Sequence, residues 1–241
     1  MKKRTCLFFL LSLFVFVTKQ VQASQPPVID RNNQGDNWEI LFDGTNVEQW
    51  RGKVLDEFPS NGWKIENGLL FLAEKGGGDI VTKKRYGNFE LVFEFNLTEE
   101  ANSGIKYFVG KIVNSETGRE MINGPEYQII DDFNNKEIKN NPDGLSSTAS
   151  AYLLYAPENK TLNPPGQWNT GRIISNDGKV EHWLNGVKVV EYERGSSDFL
   201  KRKAETKFKN DTNYGELESG YILLTDHSDT VYFKEIKIRE I

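Results

Sequence analysis

Residues 124–132 carry carboxylate and amide side chains, two of them at alternate positions of a predicted strand. Glu126 and Gln128 are separated by one residue, and in a strand such residues project to one face while Tyr127 projects to the other. A carboxylate and an amide held side by side can bind vicinal hydroxyl groups. A strand with its polar side in solvent would show the same alternation, but the long connections on either side favour a functional face.

The chain contains two histidines, His182 and His227. His182 lies in the middle of a predicted strand, where a histidine is either a hydrogen-bonded structural group or a catalyst or ligand. His227 follows Asp226 at the end of another predicted strand. An aspartate and a histidine together can form an acid/base pair, bind a metal ion or cap a turn, and all three interpretations remain open.

Several common chemistries have no motif in this sequence. The three glycines at 76–78 lack the spacing of a dinucleotide-binding loop and indicate a turn. Cys/His zinc spacing, a G-x-S-x-G elbow and a phosphate-binding loop are also missing from the sequence. The motifs therefore argue against acyl-transfer, kinase and dinucleotide chemistry.

The first 23 residues have the pattern of a signal peptide. Basic residues at positions 2–4 precede an apolar run at 7–17, and Val21-Gln22-Ala23 is a cleavage pattern of small residues. We therefore expect an exported protein, periplasmic or extracellular. The apolar run is too short to span a bilayer comfortably and no second one follows, so we expect no membrane insertion.

The predicted mature chain begins with a flexible leader at 24–37, followed by a single domain at 38–241. The full sequence has a formal charge of −5, and cleavage would remove four basic residues and no acidic residue. An acidic surface repels phosphate backbones and anionic lipid, so we expect neither nucleic acid nor a membrane surface as partner. Cleavage also removes Cys6, the only cysteine, so the core must form without a disulfide.

The secondary structure is predicted to be almost entirely strands. Residues 90–97 and 231–238 alternate with period two. Asn67-Gly68, Asp177-Gly178 and Asn185-Gly186 stand between apolar segments and predict tight hairpins, since both central residues of a type I′ turn need positive φ. Repeated hairpins without intervening helices exclude a parallel α/β sheet and favour two packed antiparallel sheets.

Three segments depart from this alternation. In residues 198–208 the apolar side chains fall at helical spacing, so we expect one short helix there, with Lys207 at the rim of the site. Residues 111–125 and 133–147 are rich in Asn, Gly and Pro. They exceed the usual hairpin length, and we expect irregular loops that help to build the site.

The sequence resembles the 3-keto-disaccharide hydrolase family over residues 38–241. The resemblance is carried, in the expected order, by WEILFDGTN at 38–46 with Trp50, WKIENG at 63–68, YGNFEL at 86–91, NSGI at 102–105, EYQI at 126–129, QWNT at 167–170, HWLNG at 182–186 and DH at 226–227. The family's usual Gln-Asp-His-Gly stretch is Thr225-Asp226-His227-Ser228 here, which alters the surroundings of the Asp-His pair. The resemblance implies a concanavalin A-like jelly-roll sandwich and cleavage of glycosides oxidised at C3.

A keto group at C3 acidifies the hydrogen at C2, so a base can remove it and the C1 substituent can leave by β-elimination, after which water adds. His182 or His227 is a candidate base, with Glu126 and Asp226 as further catalytic candidates. A bound divalent cation could stabilise the enolate instead of a hydrogen-bond donor, held by Glu126, Asp131 and the histidines. The substrate-binding candidates are Asn102, Lys106, Gln128, Asp131, Tyr152 and Lys207.

A second class of function also fits the sequence. A lectin-like exported protein would bind carbohydrate on the same face without cleaving it, and many members of this superfold do so. Such a module is commonly attached to a larger enzyme, and this chain shows no second domain, which favours the enzyme. In both cases the expected partner is a carbohydrate.

Overall fold

The computed structural model describes residues 37–241, all of which belong to one unit of the fold. The predicted signal peptide at 1–23 and the predicted leader at 24–37, apart from Asn37, lie outside the described residues. No helix within residues 37–241 is long and apolar enough to cross a membrane.

Fifteen strands and two short helices make up the described part of the chain. In chain order they are β1 (Glu39–Phe42), β2 (Trp50–Gly52), β3 (Trp63–Glu66), β4 (Leu69–Leu72), β5 (Ile80–Thr82), β6 (Phe89–Leu97), β7 (Asn102–Asn114), β8 (Glu120–Asn123), β9 (Glu126–Ile130), α1 (Lys136–Asn140), β10 (Trp168–Asn176), β11 (Lys179–Leu184), β12 (Val187–Glu193), α2 (Ser197–Ala204), β13 (Asp211–Thr212), β14 (Tyr221–Leu224) and β15 (Val231–Glu240).

The strands form two antiparallel sheets. The eight-stranded sheet has the order β12-β11-β10-β6-β15-β4-β3, with β1 paired to β15. The seven-stranded sheet has the order β13-β7-β14-β5-β2, and β8 and β9 pair with β7. The predicted fold class, a concanavalin A-like sandwich of two antiparallel sheets, is confirmed.

The three predicted hairpins are present, and each has a two-residue turn. Asn67-Gly68 joins β3 to β4, Asp177-Gly178 joins β10 to β11, and Asn185-Gly186 joins β11 to β12. All six turn residues have positive φ, between 48° and 85°. The turn type matches the twist of the strands, which is why these pairs identified hairpins from the sequence alone.

Both predicted irregular loops contain regular secondary structure that was not expected. Residues 111–125 are mostly a hairpin, because β7 runs on to Asn114 and pairs with β8. Residues 133–147 contain α1, a second helix that was not expected, whose N-cap Asn135 accepts a hydrogen bond from the backbone N–H of Glu137. Helix α1 has only five residues and no buried side chain, so its sequence lacks an apolar periodicity that would have predicted it.

Helix α2 confirms the predicted helix but ends at Ala204, four residues before the expected end. Ser196 caps its N-terminus by accepting from the N–H of Phe199. The Phe199 ring is fully buried and stacks on Tyr192 of the edge strand β12, with 5.8 Å between the ring centroids. Phe208, beyond the helix, stacks on Tyr214 at 4.1 Å. The aromatic residues thus hold this segment against the sandwich after the helix has ended.

The core between the sheets is aromatic and contains one polar chain centred on His182. The carbonyl of Ala149 can only accept, so His182 Nδ1 donates to it, at 2.9 Å. Nε2 therefore accepts from the Tyr107 hydroxyl at 2.8 Å, and that oxygen accepts from the Tyr192 hydroxyl at 2.7 Å. Both ring nitrogens are satisfied, as a buried imidazole requires. Burial lowers the pKa of His182 to about 4, so the ring is neutral.

Replacing His182 by Gln tests this structural role. At neutral pH the variant should lose about 2 kcal/mol of stability, since core hydrogen-bonding groups lose their partner. The unfolded chain binds a proton near the ordinary pKa of 6.5 and the folded chain only near 4. The wild type should therefore lose stability as pH falls from about 6.5 to about 4. Over this range the difference in unfolding free energy between the wild type and the variant should become smaller. Denaturant unfolding at several pH values measures this difference, and a difference that does not change with pH would contradict the assignment.

Candidate functional site

The candidate site lies on the outer face of the seven-stranded sheet, where β7 and β9 pair. Glu126 is opposite Lys106, and Gln128 is opposite Gly104. Tyr127 and the other alternate residues of β9 point into the core, so Glu126 and Gln128 project from the opposite face. Both remain almost fully covered, with 6% and 2% of their surfaces exposed. The predicted pairing of these two side chains on one face is confirmed.

The segment leading to Tyr152 extends this face beyond β9. Ala151 forms an isolated bridge with Tyr127, so Ser150 and Tyr152 flank a residue that faces the core and themselves project toward the side of Gln128. Ala149 has φ of 69° and donates its N–H to the carbonyl of Gln128. The positive φ and this bond together form a bulge that lets the segment follow β9.

Four polar atoms of this face are buried and have no hydrogen-bonding partner within residues 37–241. They are Asn102 Oδ1, Glu126 Oε1, Gln128 Oε1 and Ser150 Oγ. Leaving a buried polar atom unsatisfied costs about 1–3 kcal/mol, and buried polar atoms are normally paired. Their convergence on one side of one sheet indicates a place for water or a ligand that brings hydrogen-bond donors.

The Glu126 carboxylate lies among groups of both signs. Burial raises its pKa above the ordinary value, and this effect outweighs the opposing attraction of Lys106, His227 and Lys207, while Asp79 adds to the rise. Lys106 Nζ is 3.7 Å from Glu126 Oε2 and donates to Asn123 Oδ1 at 3.1 Å. A carboxylate with a raised pKa beside an ammonium group is suited to accept and return a proton.

A residue that the sequence did not suggest, Glu137, lies at the border of the same face. Tyr152 and Asn102 both contact it, and Lys207 lies beside Tyr152. Glu137 of α1 accepts from the Tyr152 hydroxyl at 3.2 Å and from Asn102 Nδ2 at 3.5 Å. Lys207 Nζ lies 4.7 Å from the centre of the Tyr152 ring. Partial burial lowers the pKa of Lys207, and Glu126 partly offsets this effect. The predicted position of Lys207 beside the site agrees with this contact.

Asp226 shapes a turn, whereas His227 stays exposed at the edge of the site. Asp226 Oδ2 accepts from the N–H of Gly78 at 2.7 Å, and Oδ1 accepts from the N–H of Ser228 at 2.8 Å. Its own N–H donates to Asp79 Oδ1 at 2.9 Å. Both carboxylate oxygens therefore serve the backbone, which supports the turn-capping interpretation and not a catalytic pair. His227 is close enough to influence the pKa of Glu126.

His182, one of the two candidate bases, does not lie on the face that carries Glu126 and Gln128. His182 packs against Tyr127, with 4.8 Å between the ring centroids, and so lies on the core side of β9. Its two nitrogens are occupied, and it is fully buried. Alternation had correctly grouped the residues within each strand, but it does not say which group faces the core.

Asp131, predicted to bind substrate or metal, has a structural role instead. Its carboxylate accepts from the N–H of Glu100 at 2.8 Å, from the N–H of Phe133 at 2.9 Å and from Asn134 Nδ2 at 2.9 Å. With Asp131 and His182 engaged elsewhere, the predicted ligand set for a divalent cation is not assembled around Glu126. Among residues 37–241, no group of three His, Cys, Asp or Glu side chains lies close enough to hold a metal ion.

Two residues of the site were missed for different reasons. Ser150 belongs to the stretch of small residues at 146–151, where periodicity gives no orientation. Glu137 is the third residue of Asn135-Lys136-Glu137, a pattern in which an asparagine precedes an acidic residue in the first turn. That helix-start signal could have been found, although it would not have shown what Glu137 contacts.

The fold and this polar patch define the class of the protein, a concanavalin A-like sandwich with a site suited to a polyhydroxylated ligand. The family model described as a 3-keto-alpha-glucoside-1,2-lyase-like domain matches residues 37–239. The chain belongs to this family, which confirms the resemblance found in its sequence motifs.

Individual relatives agree with this family. The chain is 28% identical to a 3-keto-disaccharide hydrolase of Bacteroides thetaiotaomicron over 249 aligned positions, covering 93% of this chain and 86% of that protein. A solved structure of a candidate glycosyl hydrolase from Parabacteroides distasonis is 32% identical, with a TM-score of 0.76, covering 89% of this chain and 98% of that one. A second such structure from the same organism is 26% identical, with a TM-score of 0.64, covering 86% and 100%.

Replacing Glu126 by Gln should stabilise the protein at neutral pH. The raised pKa means that the folded state disfavours the ionised carboxylate, so this group costs stability as pH rises above its ordinary value of 4.5. Gln removes that cost, and the melting temperature should rise at pH 7 and match the wild type below pH 4.5. Glu158→Gln, at an exposed position, is the control and should show no such gain. A lower melting temperature for Glu126→Gln at pH 7 would contradict the assignment.

Proposed function

We propose that the protein cleaves the glycosidic bond of 3-keto-glycosides, including 3-keto-disaccharides, by removing the proton at C2 and eliminating the substituent at C1. The observation that carries the proposal is the buried Glu126 carboxylate beside Lys106, in a row of unsatisfied polar atoms. Family membership and the named relative support a glycoside-cleaving enzyme.

Glu126 is the proposed base and Lys106 the proposed electrophile. In a 3-keto sugar the C2 hydrogen and the C3 carbonyl are on adjacent carbons, so base and electrophile must also be neighbours. The separation of 3.7 Å between Glu126 Oε2 and Lys106 Nζ suits this requirement. Glu126 takes the proton, the C2–H electron pair forms the enolate, and the ammonium stabilises the negative charge on its oxygen.

His227 is the proposed acid for the leaving group. Collapse of the enolate restores the C3 carbonyl, forms the C1–C2 double bond and expels the C1 oxygen, which takes a proton from His227. Water then adds its hydroxyl to C1 and gives its proton to His227, while C2 takes the proton of Glu126 after that proton has exchanged with solvent. The overall reaction is hydrolysis. The exposed edge position of His227 suits contact with a leaving group that extends out of the site.

The unsatisfied atoms of Asn102, Gln128 and Ser150 are proposed to recognise hydroxyl groups of the sugar. The amide oxygens accept, so each needs a donor, and a sugar hydroxyl supplies one. A substrate that fills these positions gains hydrogen bonds and relieves the cost of burying unpaired atoms. The proposal also includes export of the enzyme, which is supported by the N-terminal signal pattern.

Substrate discrimination tests the function directly. The purified protein should release the aglycone from a 3-keto-glucoside and leave the unoxidised glucoside intact, because only the ketone acidifies C2. In D₂O the sugar product should carry deuterium at C2. Equal turnover of both substrates would indicate an ordinary glycosidase, and binding of the 3-keto-glucoside without turnover would indicate a lectin. Hydrolysis without deuterium at C2 would leave the substrate assignment and overturn the elimination route.

The pH dependence tests the role of Glu126. A base must be ionised, so kcat/KM should fall as pH decreases through the raised pKa of Glu126. This acid limb should lie above the ordinary range of a glutamate, and it should be absent from the residual activity of Glu126→Gln. A limb that persists unchanged in that variant would assign the base to another group.

A further inference from the structure

We infer that Gly104 is a positioning residue, whose missing side chain provides the space in which the Glu126 carboxylate lies across β7. The inference rests on the proposed function where it concerns catalysis. The occupation of this space by the Glu126 side chain concerns only the folded protein and can be tested separately.

The geometry of the contact is specific to Glu126. A Cβ atom added to Gly104 would lie 2.1 Å from Glu126 Oε1, 2.9 Å from Cδ and 3.0 Å from Cγ. The three nearest atoms all belong to this one side chain, although Gly104 pairs across the strands with Gln128. The carboxylate therefore leans diagonally from its own partner, Lys106, onto the neighbouring position of β7.

The backbone itself does not require glycine at this position. Gly104 is not among the described residues with positive φ, and it pairs within the sheet as an ordinary residue. Its carbonyl accepts from the N–H of Thr225 at 3.1 Å. A glycine inside a strand costs stability and often marks the close approach of another group. Here the approaching group is the carboxylate of Glu126.

The space at Gly104 also determines the surroundings of Glu126 Oε1. This oxygen lies against the Cα of a glycine and, within the described residues, has no hydrogen-bonding partner. The charged and titratable groups that interact with the carboxylate are Lys106, His227, Lys207 and Asp79, together with the hydroxyl groups of Tyr152 and Tyr214. A methyl group at position 104 would push the carboxylate away from the strand, because the end of the Glu126 side chain can move more easily than the sheet.

Gly104→Ala tests the inference, with Gly110→Ala as the matched control. Gly110 lies in the same strand, and a Cβ there would meet Leu217 Cδ1 at 2.5 Å, so the control introduces a comparable clash away from Glu126. With a 3-keto-glucoside, Gly104→Ala should lower kcat about 100-fold, the effect of misplacing a reacting group by about 1 Å. KM should change little, and Gly110→Ala should keep a kcat close to that of the wild type.

A second measurement is independent of activity. The rise in melting temperature produced by Glu126→Gln at pH 7 should persist in the Gly110→Ala background and disappear with Gly104→Ala, because a displaced carboxylate regains solvent. An equal rise in melting temperature in the wild type, in Gly110→Ala and in Gly104→Ala would overturn the inference. An unchanged kcat in Gly104→Ala would also overturn it. If the rise disappears but the wild type does not cleave the 3-keto-glucoside, the positioning of Glu126 is supported and the proposed function alone fails.

Discussion

The burial of both faces of β9 is the constraint on which the site depends. Tyr127 packs edge-to-face on Phe93 at 5.3 Å, and its hydroxyl donates to the carbonyl of Trp183 in the opposite sheet at 3.1 Å. A slip of one residue would exchange the two faces of the strand, placing Glu126 and Gln128 in the aromatic core. Core packing thus fixes the register that presents the polar pair, and the site gains its rigidity from residues it does not contain.

His182 contributes to the site in a way that its chemistry alone would not suggest. The imidazole holds the carbonyl of Ala149, and the N–H of Ala149 donates to the carbonyl of Gln128. The hydrogen-bonded chain therefore runs from the hydroxyl of Tyr192 in one sheet, through the core, to the strand that carries Gln128 in the other. A neutral histidine with both ring nitrogens hydrogen-bonded suits this role because it adds no charge to the core.

The sequence could predict the parts of this structure that follow from local rules. Asn-Gly and Asp-Gly pairs located the hairpins, and alternation grouped Glu126 with Gln128. The side of the strand on which His182 lies depends on how the sheets stack, which alternation does not encode. The contact between Glu126 and Gly104 and the span of Glu137 from Asn102 to Tyr152 are tertiary. Neither set of contacts leaves a periodic signal in the sequence. The family motifs include some of these residues but do not show what they contact.

The site also differs physically from that of an ordinary glycosidase, which uses two carboxyl groups about 5–10 Å apart on either side of the bond it cleaves. The carboxylates around Glu126 are already engaged. Asp79 pairs with Lys53 and accepts from the N–H of Asp226, and Glu137 accepts from Tyr152 and Asn102. Glu126 thus lies beside cations and not beside a second free acid. In the proposed mechanism a single carboxylate suffices because the ketone of the substrate supplies the acidity, and the adjacent lysine stabilises the enolate.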